Sequence, residues 1–122
     1  MASGGWCTTA QVALLYNTDE VTDYVDDDAD GTGDTGVLQA CVDAAADNIW
    51  SIIKPSLSTA NQAALAPGTY TAGGGTNRPL ESMNALLAAD YARARQGGAS
   101  PNDEHPIILR AYDIRNGEAD IV

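Results

Sequence analysis

A chain of 122 residues, 44% of them hydrophobic, with 6 basic and 17 acidic side chains and a net charge of -11, is one domain's worth with a single modest core. The shortage of Lys and Arg argues against a nucleic-acid-binding surface, which needs clustered cations to neutralise phosphates. No stretch approaches the roughly 18 apolar residues of a membrane helix. The imbalance is also local: ten acidic residues precede Lys54, the first basic one, so the first half carries the negative field and the second half is nearly balanced.

The opening residues, Met-Ala-Ser-Gly-Gly, have neither a basic region nor an apolar run, so no secretory signal is expected and the protein is expected in the cytoplasm. Cys7 and Cys41 are too few and too far apart for a metal knuckle. They are expected as thiols in a reducing compartment, with a disulfide as the alternative. Thr8 and Gln11 have the spacing of a capping box, in which the hydroxyl accepts from a backbone amide and the amide side chain reaches back. A short helix to about Asn17 follows, with Ala10, Val12, Ala13 and Leu14 on its buried side. Thr18, with Asp19 and Glu20 in the next turn, predicts a second short helix to about Tyr24, its early acids favourable to the helix dipole.

The stretch 26–34 is an acidic turn. Asp26, Asp28, Asp30 and Asp34 occupy side-chain ligand positions of an EF-hand type calcium loop, and Thr32 would contribute its carbonyl. Val37 stands where the closing bidentate Glu belongs, so a calcium site here is expected to be weak. Two readings stay open: five packed carboxylates that a divalent cation relieves, or plain turn and cap chemistry, for which Asp and Gly are equally suited.

Asp34 or Thr35 then caps the longest helix, to about Ile53. Val37, Leu38, Cys41, Val42, Ala45, Ile49, Ile52 and Ile53 recur with helical period, and Lys54-Pro55 ends it. A short helix capped by Ser58 follows, with Leu57, Ala60, Ala64 and Leu65 on it. The stretch 69–79 has three consecutive glycines and no helical period, which predicts a mobile loop or one ordered by assembly. The helical pattern resumes over 80–96, with Leu80, Met83, Leu86, Leu87 and Tyr91 on successive turns, and stops at Gly97-Gly98. Ile107, Ile108, Leu109, Tyr112 and Ile114 predict a last helix from Pro106 to Asn116. Residues 117–122 read as a C-terminal arm that a neighbour orders.

This pattern predicts an all-α fold, a small bundle of four to five helices with a long central amphipathic helix, an extended Gly-rich loop and a C-terminal arm, in a single domain over 1–122. No enzyme is expected and no cofactor is required. His105 has no serine or cysteine nucleophile near it in sequence and reads as a surface residue. The acids at 26–30 come from one element, whereas a glycosidase draws its two carboxyls from elements across a cleft.

The order of features, an aromatic-x-Thr start, two short helices, an Asp-x-Asp-x-Asp-Gly turn and then a long helix, resembles the small head-tail adaptor proteins of tailed bacteriophages, of the Mu-like connector family. That family's turn leads into a helix reading roughly Ala-x-x-Asp-Ala-Ser-x-Glu-Ile-Asp, which Ala40, Asp43, Ala44, Ala45, Asp47 and Ile49 approximate, with Ala46 and Asn48 departing from it. The stretch 86–93 is the counterpart of a later alanine-rich helix, and Tyr112, Gly117 and Ile121 stand for the family's closing segment. The resemblance implies a virion neck protein without catalysis, assembled in the host cytoplasm. Its partners would be itself in a ring, a dodecamer, then the portal protein above and the next neck component or tail terminator below. DNA would pass through the lumen without specific binding, and a negative lumen would keep it from adhering. A small acidic calcium-binding interaction module is the alternative.

Overall fold

The computed structural model describes residues 5–15, 35–67, 69–75, 77–94 and 105–116. The fold is all-α, a small helical bundle. Among the described residues there are five α-helices, α1 Thr9–Leu15, α2 Thr35–Ile53, α3 Thr59–Leu65, α4 Arg78–Ala94 and α5 Pro106–Arg115, with a 3-10 turn over Lys54–Ser56 after α2. The helix predicted at 18–24, the acidic turn 26–34 and the arm 117–122 lie outside the described residues. None of the described helices is long and apolar enough to cross a membrane.

Local chemistry sets most helix ends. The Thr8 amide donates to Gln11 Oε1 at 2.9 Å and the Gln11 amide to Thr8 Oγ1 at 3.2 Å, the reciprocal pair that spares two amides at the start of α1. Ser58 accepts from the Asn61 amide at the start of α3. Helix α4 begins two residues before the predicted start, because Asn77 Oδ1 accepts from the Leu80 amide at 3.2 Å. Pro79 then falls in the first turn, where a missing amide hydrogen costs nothing.

Helix α2 is the central element. Its period places Leu38, Cys41, Val42, Ala45, Ala46, Ile49, Ile52 and Ile53 inside, and it packs most extensively against α4 and next against α5. The α4 side of that contact is rich in alanine, with Ala85, Ala88, Ala89 and Ala92 all buried, so the two axes approach closely. Helices α4 and α5 touch each other much less. Burying each of these aliphatic side chains contributes about 1.5–3 kcal/mol, less for alanine.

Three expectations about the core are corrected. In α1 it is Val12 that is buried, while Ala10 is exposed and Leu14 is 79% exposed. The buried Trp6-Cys7 entry fixes the rotation of this short helix, so its own composition does not. In α3 only Leu65 is buried, and Ala60 and Ala64 face outward. Leu86 is half-buried instead of inside, at the open α4–α5 seam.

Candidate functional site

Within 69–79, expected as a mobile loop or one ordered by assembly, several described groups have partners in the chain, most of them in or beside α4. Asn77, the residue before it, and Glu81 and Asn84, in its first two turns, are all buried. Glu81 accepts from Tyr70 Oη at 2.6 Å, from the Gly75 amide at 2.7 Å and from Gln11 Nε2 at 3.0 Å. Tyr70 Oη in turn accepts from the Asn77 amide, and the Gly73 amide donates to the Trp6 carbonyl. Gly73 and Gly75 have φ of +73° and +79°, a left-handed backbone that favours glycine, so the run serves to aim amides inward.

Asn84, fully buried, performs the same service for the N-terminal segment. Its Oδ1 accepts from the Trp6 and Cys7 amides at 2.8 and 3.1 Å, and its Nδ2 donates to the Val42 carbonyl at 3.0 Å. Gly5 lies against this point, and a Cβ there would meet Val42 Cγ1 at 2.3 Å. Trp6 is anchored by a 2.6 Å bond from Nε1 to the Leu65 carbonyl and by edge-on contact with Trp50. Among the described residues no buried side-chain polar atom lacks a hydrogen-bond partner.

These groups are structural in their chemistry. Burial pushes the Glu81 carboxyl up, but the bonds from Tyr70, Gln11 and the Gly75 amide, with the Arg78 charge, outweigh it and hold the group below its ordinary value. A carboxylate so saturated with donors is a poor proton acceptor. Burial, opposed by a backbone hydrogen bond and reinforced by the Glu81 charge, raises Cys7 to about 12. Cys7 and Cys41 are both buried thiols, and Cys7 behaves as a packed hydrophobe, far from the thiolate form that reactions need.

His105, read from sequence as a surface residue, is instead a helix cap with its side chain 15% exposed. Its Nδ1 accepts from the Ile107 amide. The ring proton therefore sits on Nε2, which faces Asp90 Oδ2 at 2.5 Å. The pair ties the start of α5 to the last turns of α4.

What remains open is the seam between them. A hollow of about 440 Å³ is lined by Arg78, Pro79, Ser82, Met83, Leu86, Ile107 and Arg110. A second, of about 250 Å³, is lined by Gln11, Leu14, Arg78, Glu81 and Ser82. Arg78 and Ser82 line both, so the two hollows flank the start of α4, and the larger is a trough between α4 and α5. Met83, Leu86 and Ile107 make an apolar floor, and the exposed Arg78 and Arg110 stand at its edges. The exposed stripe of α2 carries Gly36, Ala40, Ala44, Asp47 and Ser51, with Asp43 half-buried beside it.

Sequence reasoning missed the trough, because its residues come from α4 and α5 and the helical period assigns Met83, Leu86 and Ile107 to the core. The predicted calcium ligands Asp26, Asp28, Asp30, Thr32 and Asp34 lie outside the described residues. Among the described residues no group of three potential metal-binding side chains occurs. Compared with known protein families, characterised proteins and solved structures, the chain matches none.

Proposed function

We propose that this chain is a structural protein of a tailed-phage virion, an adaptor whose copies form a ring that joins the portal to the next neck or tail component and lines the DNA channel. The observation that best supports this reading is the pair of chemically different surfaces on one small bundle. An arginine-edged, apolar-floored trough lies between α4 and α5, and a small-residue stripe with acidic side chains lies on the outer face of α2. A ring built by head-to-tail contact needs two different, mutually complementary patches on each subunit, and opposite charge sets their orientation and pairing rate. The sequence resemblance over 20–50, much of it carried by α2, and the excess of negative charge in the first half support the same reading.

Imaging by negative stain of the purified protein mixed with the portal of the same phage tests it. Rings seated on the portal are the expected result. Absence of both rings and portal binding, with a calcium-dependent rise in melting temperature that Asp28→Ala abolishes, would replace the adaptor by the calcium-binding module.

A further inference from the structure

The trough has a defined chemistry. Two guanidiniums at the edges call for carboxylates, and the floor of Met83, Leu86 and Ile107 calls for branched apolar side chains. Arginine suits the first requirement because its planar fork holds a carboxylate through two parallel hydrogen bonds. The occupant is therefore an acidic and apolar peptide segment. This chain carries such a segment itself, because 118–122 reads Glu-Ala-Asp-Ile-Val.

We propose that residues 117–122 of a second copy of this chain dock in the α4–α5 trough, so that each subunit of the ring is clasped by its neighbour. The proposal rests on the ring reading above and refines its contact: the trough takes the neighbour's arm in place of its α2 stripe. In extended form side chains alternate between two sides, which puts Glu118 and Asp120 on one side and Ala119 and Ile121 on the other. The carboxylates then meet Arg78 and Arg110 while Ile121 enters the floor. The segment is long enough: five extended residues span about 17 Å, more than the roughly 12 Å that the helix rises from Arg78 to Leu86. Ser82 lies between the arginine edge and the floor and offers a hydroxyl to the peptide backbone. Docking of this kind places the arm's net negative charge on a part of the surface where an otherwise acidic protein presents cations, which favours this segment over an uncharged one of equal apolarity.

The test uses the full chain and a variant ending at Asn116, with folding checked by circular dichroism. An amidated, fluorescently labelled peptide of residues 116–122 is titrated into the shortened variant, and its anisotropy is followed. Saturable binding that weakens as salt is raised is expected. Arg110→Glu, at an exposed position remote from the Glu81 network, is expected to weaken it about tenfold, the scale of a like-charge juxtaposition. A peptide carrying a single reversal, Glu118→Lys or Asp120→Lys, should recover affinity on that variant, because the remaining carboxylate still meets Arg78. No binding, or binding indifferent to Arg110→Glu, overturns the proposal. A full chain that stays monomeric and refuses the peptide, beside a shortened variant that accepts it, assigns the trough to the chain's own arm and overturns the second-copy assignment. If the shortened variant forms rings on the portal as well as the full chain does, the arm contact is wrong while the adaptor reading stands.

Discussion

The two ends of the bundle are held by different physics. Around the start of α4, Glu81 and Asn84 gather hydrogen bonds from Gln11, Tyr70, the Gly75 amide and the Trp6-Cys7 backbone. Along the α2–α5 contact the cohesion comes from Ile49, Ile53, Ile108, Ala111 and Ile114, all buried and without polar atoms in their side chains. Directional bonds fix one conformation of segments that have no apolar run of their own, whereas apolar contacts tolerate changes of shape at constant volume. The irregular segments 5–8 and 69–75 are therefore held by directional bonds, chiefly to two residues of α4.

Substitutions that keep volume and change chemistry separate the two ends most sharply. Asn84→Asp is nearly isosteric but replaces the donor facing the Val42 carbonyl by an acceptor and buries a charge, so a loss of about 4 kcal/mol in urea denaturation is expected at neutral pH. A loss below about 1 kcal/mol would show that the polar end is no more specific than the apolar one.

Glu81→Gln is expected to cost about 2 kcal/mol at pH 7, since an amide nitrogen is turned toward donors that need an acceptor. The folded carboxyl lies below its ordinary value of 4.5. Its contribution is therefore complete above that value and lost as pH falls through the folded value. The gap between wild type and Glu81→Gln should accordingly narrow on acidification below about 4.5, read from denaturation midpoints across pH. A gap independent of pH would mean that the carboxylate charge contributes nothing to the loop.

The tie between α4 and α5 is smaller. His105→Ala removes the α5 cap and the contact with Asp90, at a cost of about 1.5 kcal/mol, and His105→Asn, which keeps a capping oxygen, should recover much of it. Equal losses for the two variants would assign the effect to Asp90 alone. At the apolar end Ile108→Leu conserves volume and should cost about 1 kcal/mol or less by the same measurement. A cost as large as that of Asn84→Asp would erase the contrast between the two regions.

The helices of this protein are written in its local sequence. Period, capping pairs and prolines act over a few residues, so Thr8 with Gln11, the apolar stripe of α2, Ser58 and Pro106 all read correctly without knowledge of the fold. The start of α4 at Arg78, two residues early, was also local, since Asn77 is a good cap hidden beside a proline. The tertiary structure alone decided what crosses between elements. Glu81 meets Gly75 and Gln11, Asn84 meets Trp6, and His105 meets Asp90, because helix packing brings together groups far apart in the chain. It also decided which apolar residues stay outside: Leu14 and Leu86 fit the helical period as well as any buried residue, but the helices beside them stop short or diverge. The trough exists for that reason, since periodicity says which face of a helix is apolar and only packing says how much of that face is covered.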